Sequence, residues 1–224
     1  MNWLHALGRN THIAMGTLGL LSGALAMMLR KGSRTHARVG HVFFVSMTLM
    51  ASTGTILSMV PELDRVNIAG GSLALYLTIT AWVTVERRPG SVGRAEWLMA
   101  AAGAGAAILL FSFAARAAGI PAEAGAVPFF SAFGSILALS VAGDVRLIRR
   151  GGVQGRARTT RHLWRMCTAM LLATLSLFLG QPQVFPDVLR ERGLLAVPPA
   201  LVVAALLYFL VRERARAPRA LRAR

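Results

Sequence analysis

When every Asp, Glu, Lys and Arg of the chain is marked, seven long uncharged windows remain, at residues 10–29, 39–61, 66–85, 97–115, 124–143, 166–186 and 193–211. Each holds 19 to 23 residues. An α-helix rises about 1.5 Å per residue and needs roughly 20 residues to cross about 30 Å of hydrocarbon. Unpaired charge is costly in that layer, so clusters of charge separated by apolar windows of this length are the pattern a bilayer imposes. The predicted fold is all-α: a polytopic bundle of seven transmembrane helices over residues 1–211, followed by a basic tail at 212–224. The windows take 142 of the 224 residues, and the 82 left over are too few for a second folded domain.

Composition removes the competing classes. The chain is 55% hydrophobic and 15% charged, with a mean hydropathy of +0.56. Soluble domains run near a quarter charged, and disordered chains are poor in apolar residues. The single cysteine, Cys167, excludes a disulfide scaffold.

Orientation follows from the cations. If the first, third and fifth loops and the C-terminus share one side, that side carries 20 of the 25 Lys and Arg. The other keeps only Arg9, Arg65, Arg116, Arg190 and Arg192. The positive-inside rule then makes the richer side cytoplasmic, with the N-terminus outside, in the inner membrane of a cell. Trp82, Trp97 and Trp164 fall at the cytoplasmic ends of their helices, as interfacial indoles do. Ala24 to Ala26 reads like a signal cleavage site, but the cations follow the apolar run instead of preceding it, which favours a retained anchor.

The net charge of +16 raises the question of nucleic acid. The arginines track the membrane boundary, and the tail lacks the aromatic residues that stack on bases, so anionic lipid headgroups are its expected partner. Association into a homo-oligomer or with another membrane protein is left open.

Polar and small residues recur on helix faces. His12, Gly16, Gly19 and Gly23 share one face of the first helix and allow close approach of a neighbour. Ala100 to Ala107 suggests a fourth helix that is tightly packed or central. Polar stripes run through His41, Thr48, Ser52 and Thr55, through Ser72, Tyr76, Thr80 and Thr84, and through Cys167, Thr174 and Gln181. They either line a cavity or bond back to their own helices, the commoner arrangement and the favoured one here. No stripe carries an acid or base in mid-membrane. Asp144, near the end of the fifth window, is expected to form a structural ion pair, with Arg146 nearby.

Five histidines complete the set. Haem held between helices needs two imidazoles at matching depth. His36, His41 and His162 are the cytoplasmic candidates, although the depth of His36 and His162 is at the headgroup boundary and His41 lies deeper. A zinc site from the three is disfavoured because His36 and His41, five apart, do not share a face. Interfacial histidines bonding headgroups or loop carbonyls are the default reading.

The segment His12-Ile-Ala-Met-Gly16, a basic loop, then His36-Ala-Arg-Val-Gly40-His41, resembles an uncharacterised family of predicted bacterial integral membrane proteins with paired His-x-x-x-Gly helices. Tyr76 to Trp82 and Arg161 to Met166, continuing to Gly180-Gln181, are similar to later segments of its members. The resemblance spans Thr11 to Gln181 and carries no activity. It implies that His12, His36, His41, His162, Arg165 and Gln181 are the positions to test.

Three functions remain. The favoured one is an integral membrane protein without catalytic chemistry, in a structural, assembly or small-molecule-handling role. The second is a channel or carrier lined by the Ser/Thr stripes. The third is a b-type cytochrome-like redox protein with histidine-ligated haem.

Overall fold

The computed structural model describes residues 2–60 and 62–215. It is all-helical, with no strand among the described residues. The helices are α1 (Asn2–Met28), α2 (Arg34–Leu57), α3 (Arg65–Glu86), α4 (Arg94–Ala118), α5 (Val127–Arg149), α6 (Gly155–Phe178), a short α7 (Asp187–Glu191) and α8 (Val197–Ala215). Six segments are long and apolar enough to cross a membrane: Trp3–Met28, Arg34–Leu57, Arg65–Glu86, Arg94–Ala118, Pro121–Arg149 and Leu194–Ala215. The helix over the sixth window, α6, is the exception.

The helices overrun the charged residues that bound the windows, because backbone hydrogen bonding continues wherever nothing breaks it. α1 begins before Arg9, α5 continues past Asp144 to Arg149, and α6 starts ten residues before Arg165. Residues 179–186, the end of the sixth window, lie outside α6, beyond its C-terminus at Phe178. Gln181 is thereby removed from the helical stripe on which the sequence spacing put it. Of the basic tail, Arg212 and Arg214 belong to α8, and residues 216–224 lie outside the described residues.

α1 and α2 form an antiparallel hairpin closed by local chemistry. Lys31 Nζ donates to the orphan carbonyls of Ala26 and Met27 at 2.9 and 2.7 Å. Ser33 caps α2 by accepting from the His36 amide at 3.1 Å. The small face of α1 packs as its spacing predicts: Gly16 lies against Met50, Gly19 against Met47, and Gly23 against Phe43 and Met170. A Cβ at Gly23 would sit 2.7 Å from Met170 Sδ and 2.8 Å from Phe43 Cδ2, so this contact admits only glycine without rearrangement.

The centre of the bundle is α3, which packs against α2, α4, α5 and α6 and buries Ile68, Leu73, Leu77 and Ala81. α4 pairs with α5 and presents Ala100, Gly103 and Ala107 inward, while Ala101, Ala102 and Gly105 are exposed. Its Gly/Ala run is tightly packed on one face and does not make α4 the central helix. α8 leans on α6. The outer surface is strongly apolar: Leu139 is 74% and Leu98 71% exposed. Such a surface suits hydrocarbon and would drive aggregation in water.

The α3–α4 and α5–α6 turns meet at one end of the bundle. The Gly90 amide donates to Val153 O at 3.1 Å. Gly152, at φ +119°, brings its Cα against the Gly90 backbone, where a Cβ would lie 2.7 Å from the carbonyl carbon. This contact ties α5 and α6 to the end of α3 and sets the register in which their charged side chains meet.

Candidate functional site

Arg158, Arg161, His162 and Arg165 follow one another along α6 at steps that share a helix face. That face lies on the C-terminal half of α3. The last carbonyls of a helix lack intrahelical donors and carry the negative end of its dipole. Arg158 meets three of them: Nε donates to Thr84 O at 2.8 Å, and Nη2 to Val85 O at 2.6 Å and Arg87 O at 2.9 Å. One turn further, His162 Nδ1 is 3.0 Å from Ala81 O, and Arg161 Nη1 donates to Thr80 O at 2.7 Å.

The deepest layer joins three helices. Asp144 of α5 is 4% exposed and accepts from two guanidinium groups. Arg161 Nη2 and Arg165 Nη2 both reach Oδ1 at 2.6 Å, and Arg165 Nη1 reaches Oδ2 at 3.0 Å. Tyr76 of α3 donates its phenol to Oδ2 at 2.5 Å. Arg165, 1% exposed, also donates to Ser140 O at 3.0 Å and to the Thr80 hydroxyl, which in turn donates to Tyr76 O at 2.5 Å. Tyr76 and Arg165 each stand ten residues inside the nearer helix end, about 15 Å along the axis.

Two guanidinium groups share one carboxylate, so the cluster carries an excess positive charge. Ring faces and helix dipoles offset part of it: Arg165 Cζ lies 5.6 Å from the Tyr76 ring centroid and 5.1 Å from that of Trp164. Nε of Arg161 and Nε of Arg165 are buried with no acceptor among the described residues.

Asp144 is thus ion-paired, but not to Arg146. Residues two apart on a helix point away from each other, and Arg146 is exposed on the far side of α5. Asp144 and Arg165 are both buried within the bundle, because α5 and α6 continue beyond them.

The remaining candidates scatter. His12 Nδ1 lies 2.8 Å from Met50 O, tying α1 to α2 over Gly54. His36 Nδ1 is 3.1 Å from Ala26 O. His41 stands apart, exposed, with its ring 6.2 Å from both Phe44 and Trp82, which stack on each other at 4.5 Å. Gln181 is exposed and accepts from Gln183 Nε2 at 2.5 Å. His36 and His162 thus engage carbonyls of different helices, Ala26 of α1 and Ala81 of α3.

The threonines of the stripes bond back to their own helices. Thr48, Thr55, Thr80, Thr84 and Thr174 each donate to the carbonyl four residues earlier. Of the residues in the buried cluster, sequence reasoning singled out Arg165 and passed over Tyr76, Asp144 and Arg161 as a site. The usable signal was the spacing of Arg158, Arg161 and Arg165, three cations on one helix face that require acceptors.

No protein-family model, curated protein or solved structure matches this chain. What defines its class is the fold itself, an apolar-surfaced helical bundle of the multi-pass membrane type.

Proposed function

We propose that the chain is a seven-helix integral protein of a bacterial inner membrane, with its N-terminus outside and its C-terminus cytoplasmic. Its role is structural, in assembly, or in handling a small molecule without catalytic chemistry of its own. Six long apolar segments support the multi-pass class. In this reading α6 is the seventh crossing: its 24 residues extend about 36 Å. The charges that lower its hydropathy are largely spent on Asp144 and on α3 carbonyls, and paired charges facing the bundle do not oppose insertion as lipid-facing ones do. An odd number of crossings separates the termini, and the 20 to 5 distribution of cations then assigns the C-terminal side to the cytoplasm. Arg212 and Arg214 end α8 where its dipole and anionic headgroups both favour cations.

The observation that carries the non-catalytic reading is the closure of the buried cluster. Arg165 is 1% and Asp144 4% exposed, and their charged atoms face each other, Tyr76 and helix carbonyls. A group that works on a substrate must open to it, whereas a closed ion pair cross-links helices. The back-bonded threonines support the same conclusion over a carrier. Liposomes holding the purified protein, tested with anionic, cationic and neutral solutes, should show no flux that depends on the stripes. Flux abolished by Thr48→Val or Ser52→Val would overturn the reading in favour of a channel or carrier.

One observation favours the redox alternative. His36 and His162 each engage a backbone carbonyl through Nδ1, the kind of bond that orients a ligating imidazole and leaves Nε2 for a metal. A Soret band lost on His36→Ala or His162→Ala would establish haem; a colourless preparation from haem-supplemented cells removes it. Membership of the family with paired His-x-x-x-Gly helices is proposed on the same residues, supported by the packing of His12, Gly16 and Gly23 against α2.

A further inference from the structure

A cavity of about 580 Å³ lies between the first turns of α6 and the end of α8, lined by Arg156, Thr160, Arg161, Trp164, Leu210 and Arg214 among others. Arg156, Thr160, Arg161 and Trp164 fall on one face of α6, and Leu210 and Arg214 are one turn apart on α8. Three guanidinium groups therefore border the cavity. No carboxylate does so among the described residues. Arg156 and Arg214 make no ion pair with a described residue. Asp144 lies behind Arg161 and is already shared with Arg165. Glu213 neighbours Arg214 on α8 but does not line the cavity.

Two further features favour an anion. Arg156 occupies the first turn of α6, the positive end of the helix dipole, which has no acidic residue and no side-chain cap from Gln154. A cation there is unfavourable, and an anion would reverse the balance. Arg158, its neighbour in that turn, is spent on the end of α3, and Arg156 is not. Secondly, Arg161, whose terminal nitrogens are held by Thr80 O and Asp144, adds a fixed positive charge to the cavity wall. Trp164 and Leu210 add apolar surface beside the arginines, matching a ligand charged at one end and apolar at the other.

We propose that this cavity binds a phosphate group, presented either by the headgroup of an anionic phospholipid or by a soluble phosphate. Arg156 and Arg214 contribute the free guanidinium groups, Thr160 a hydroxyl, and Arg161 the link to the Asp144 cluster. A bound phosphate supplies the negative charge that the cluster lacks and clamps α8 to α6. The lipid source rests on the membrane reading above; the soluble source does not.

The test uses the full-length protein purified in a neutral detergent. Its thermal unfolding is followed with added phosphatidylglycerol, phosphatidylcholine or inorganic phosphate, and affinity for phosphatidylglycerol is measured by native mass spectrometry. The proposal expects phosphatidylglycerol or inorganic phosphate to raise the melting temperature and phosphatidylcholine to leave it unchanged. With each surface arginine worth a few-fold, R156A/R214A should bind about thirtyfold more weakly. Both side chains are exposed, so the variant keeps its fold; if it does not, the single variants R156A and R214A, each expected to lose part of the effect, serve in its place. R149A/R150A, which removes two exposed cations outside the cavity, should bind like the wild type. A response to the lipid alone identifies the headgroup, and an equal response to inorganic phosphate identifies a soluble ligand. No shift with either, or equal losses in R156A/R214A and R149A/R150A, would overturn the site. Membrane extraction by alkali tests the other reading separately: release of the protein defeats the membrane assignment without touching the phosphate result.

Discussion

The phenol of Tyr76 donates a 2.5 Å hydrogen bond to Oδ2 of Asp144, joining the central helix α3 to α5 across 68 residues of sequence. The same carboxylate holds Arg161 and Arg165 of α6, so one acidic side chain connects three helices. It accepts every charged contact in the cluster, which makes its loss the most damaging single change there.

Asp144→Ala leaves the buried Arg165 and the partly buried Arg161 without a carboxylate. Breaking a buried pair from one side costs about 3–5 kcal/mol. Arg165→Met should cost less, because Asp144 keeps Arg161 and the Tyr76 hydroxyl. Chemical unfolding in detergent measures both, and an equal or reversed ranking would refute the shared-carboxylate geometry.

Tyr76→Phe removes one hydrogen bond to a charged acceptor, a loss of about 1.5–3 kcal/mol. The ring itself must stay, since Gly103 of α4 packs against its edge. Tyr76→Ala should therefore be worse than Tyr76→Phe by the cost of an aromatic cavity, about 3 kcal/mol or more. The same unfolding assay reads the difference.

Arg158→Gln should destabilise the bundle more than Arg149→Gln. Arg158 satisfies three carbonyls at the end of α3, whereas Arg149 is exposed. Arg158→Lys should recover only part of the loss, because an ammonium lacks the planar fork that spans these carbonyls. Trypsin sensitivity of the α3–α4 turn provides an independent readout.

Gly23→Ala forces a methyl group into Met170 and Phe43, and overpacking of this kind costs about 1–3 kcal/mol. Gly105→Ala meets nothing within 4 Å in α4 and should be neutral or stabilising by up to about 1 kcal/mol. Comparing the melting temperatures of the two variants separates close packing from helix propensity.

Cys167 is buried, so a membrane-impermeant maleimide should leave the wild-type protein unlabelled. Cysteines placed singly at Arg88 or Arg150 should label only in inverted vesicles, and at Glu123 or Arg192 only in intact cells. Labelling of Arg88 and Arg150 from opposite sides would overturn the proposed topology.

Much of the fold is legible in the sequence because insertion into a bilayer is a local requirement. An apolar run of about 20 residues reads as a crossing whatever its neighbours are. The glycine face of α1 is legible for a similar reason, since small residues at helical spacing have one use in a membrane bundle. The back-bonding of Thr48, Thr80 and Thr174 follows from chemistry within one helix turn. The site is different. Charge-bounded windows end at Asp144 and Arg165, and that rule placed both residues at membrane edges. Their helices continue past them, which no local charge count reveals.

The sequence alone determined the class, the helical content and the positions of six apolar spans, because each depends only on the transfer of a short segment out of water. Tertiary structure decided which helix is central and that Asp144 pairs with Arg161 and Arg165 instead of its neighbour Arg146. Those outcomes depend on which faces of distant helices meet. A carboxylate pairs with the cation that packing brings within about 3 Å, however few residues lie between it and another.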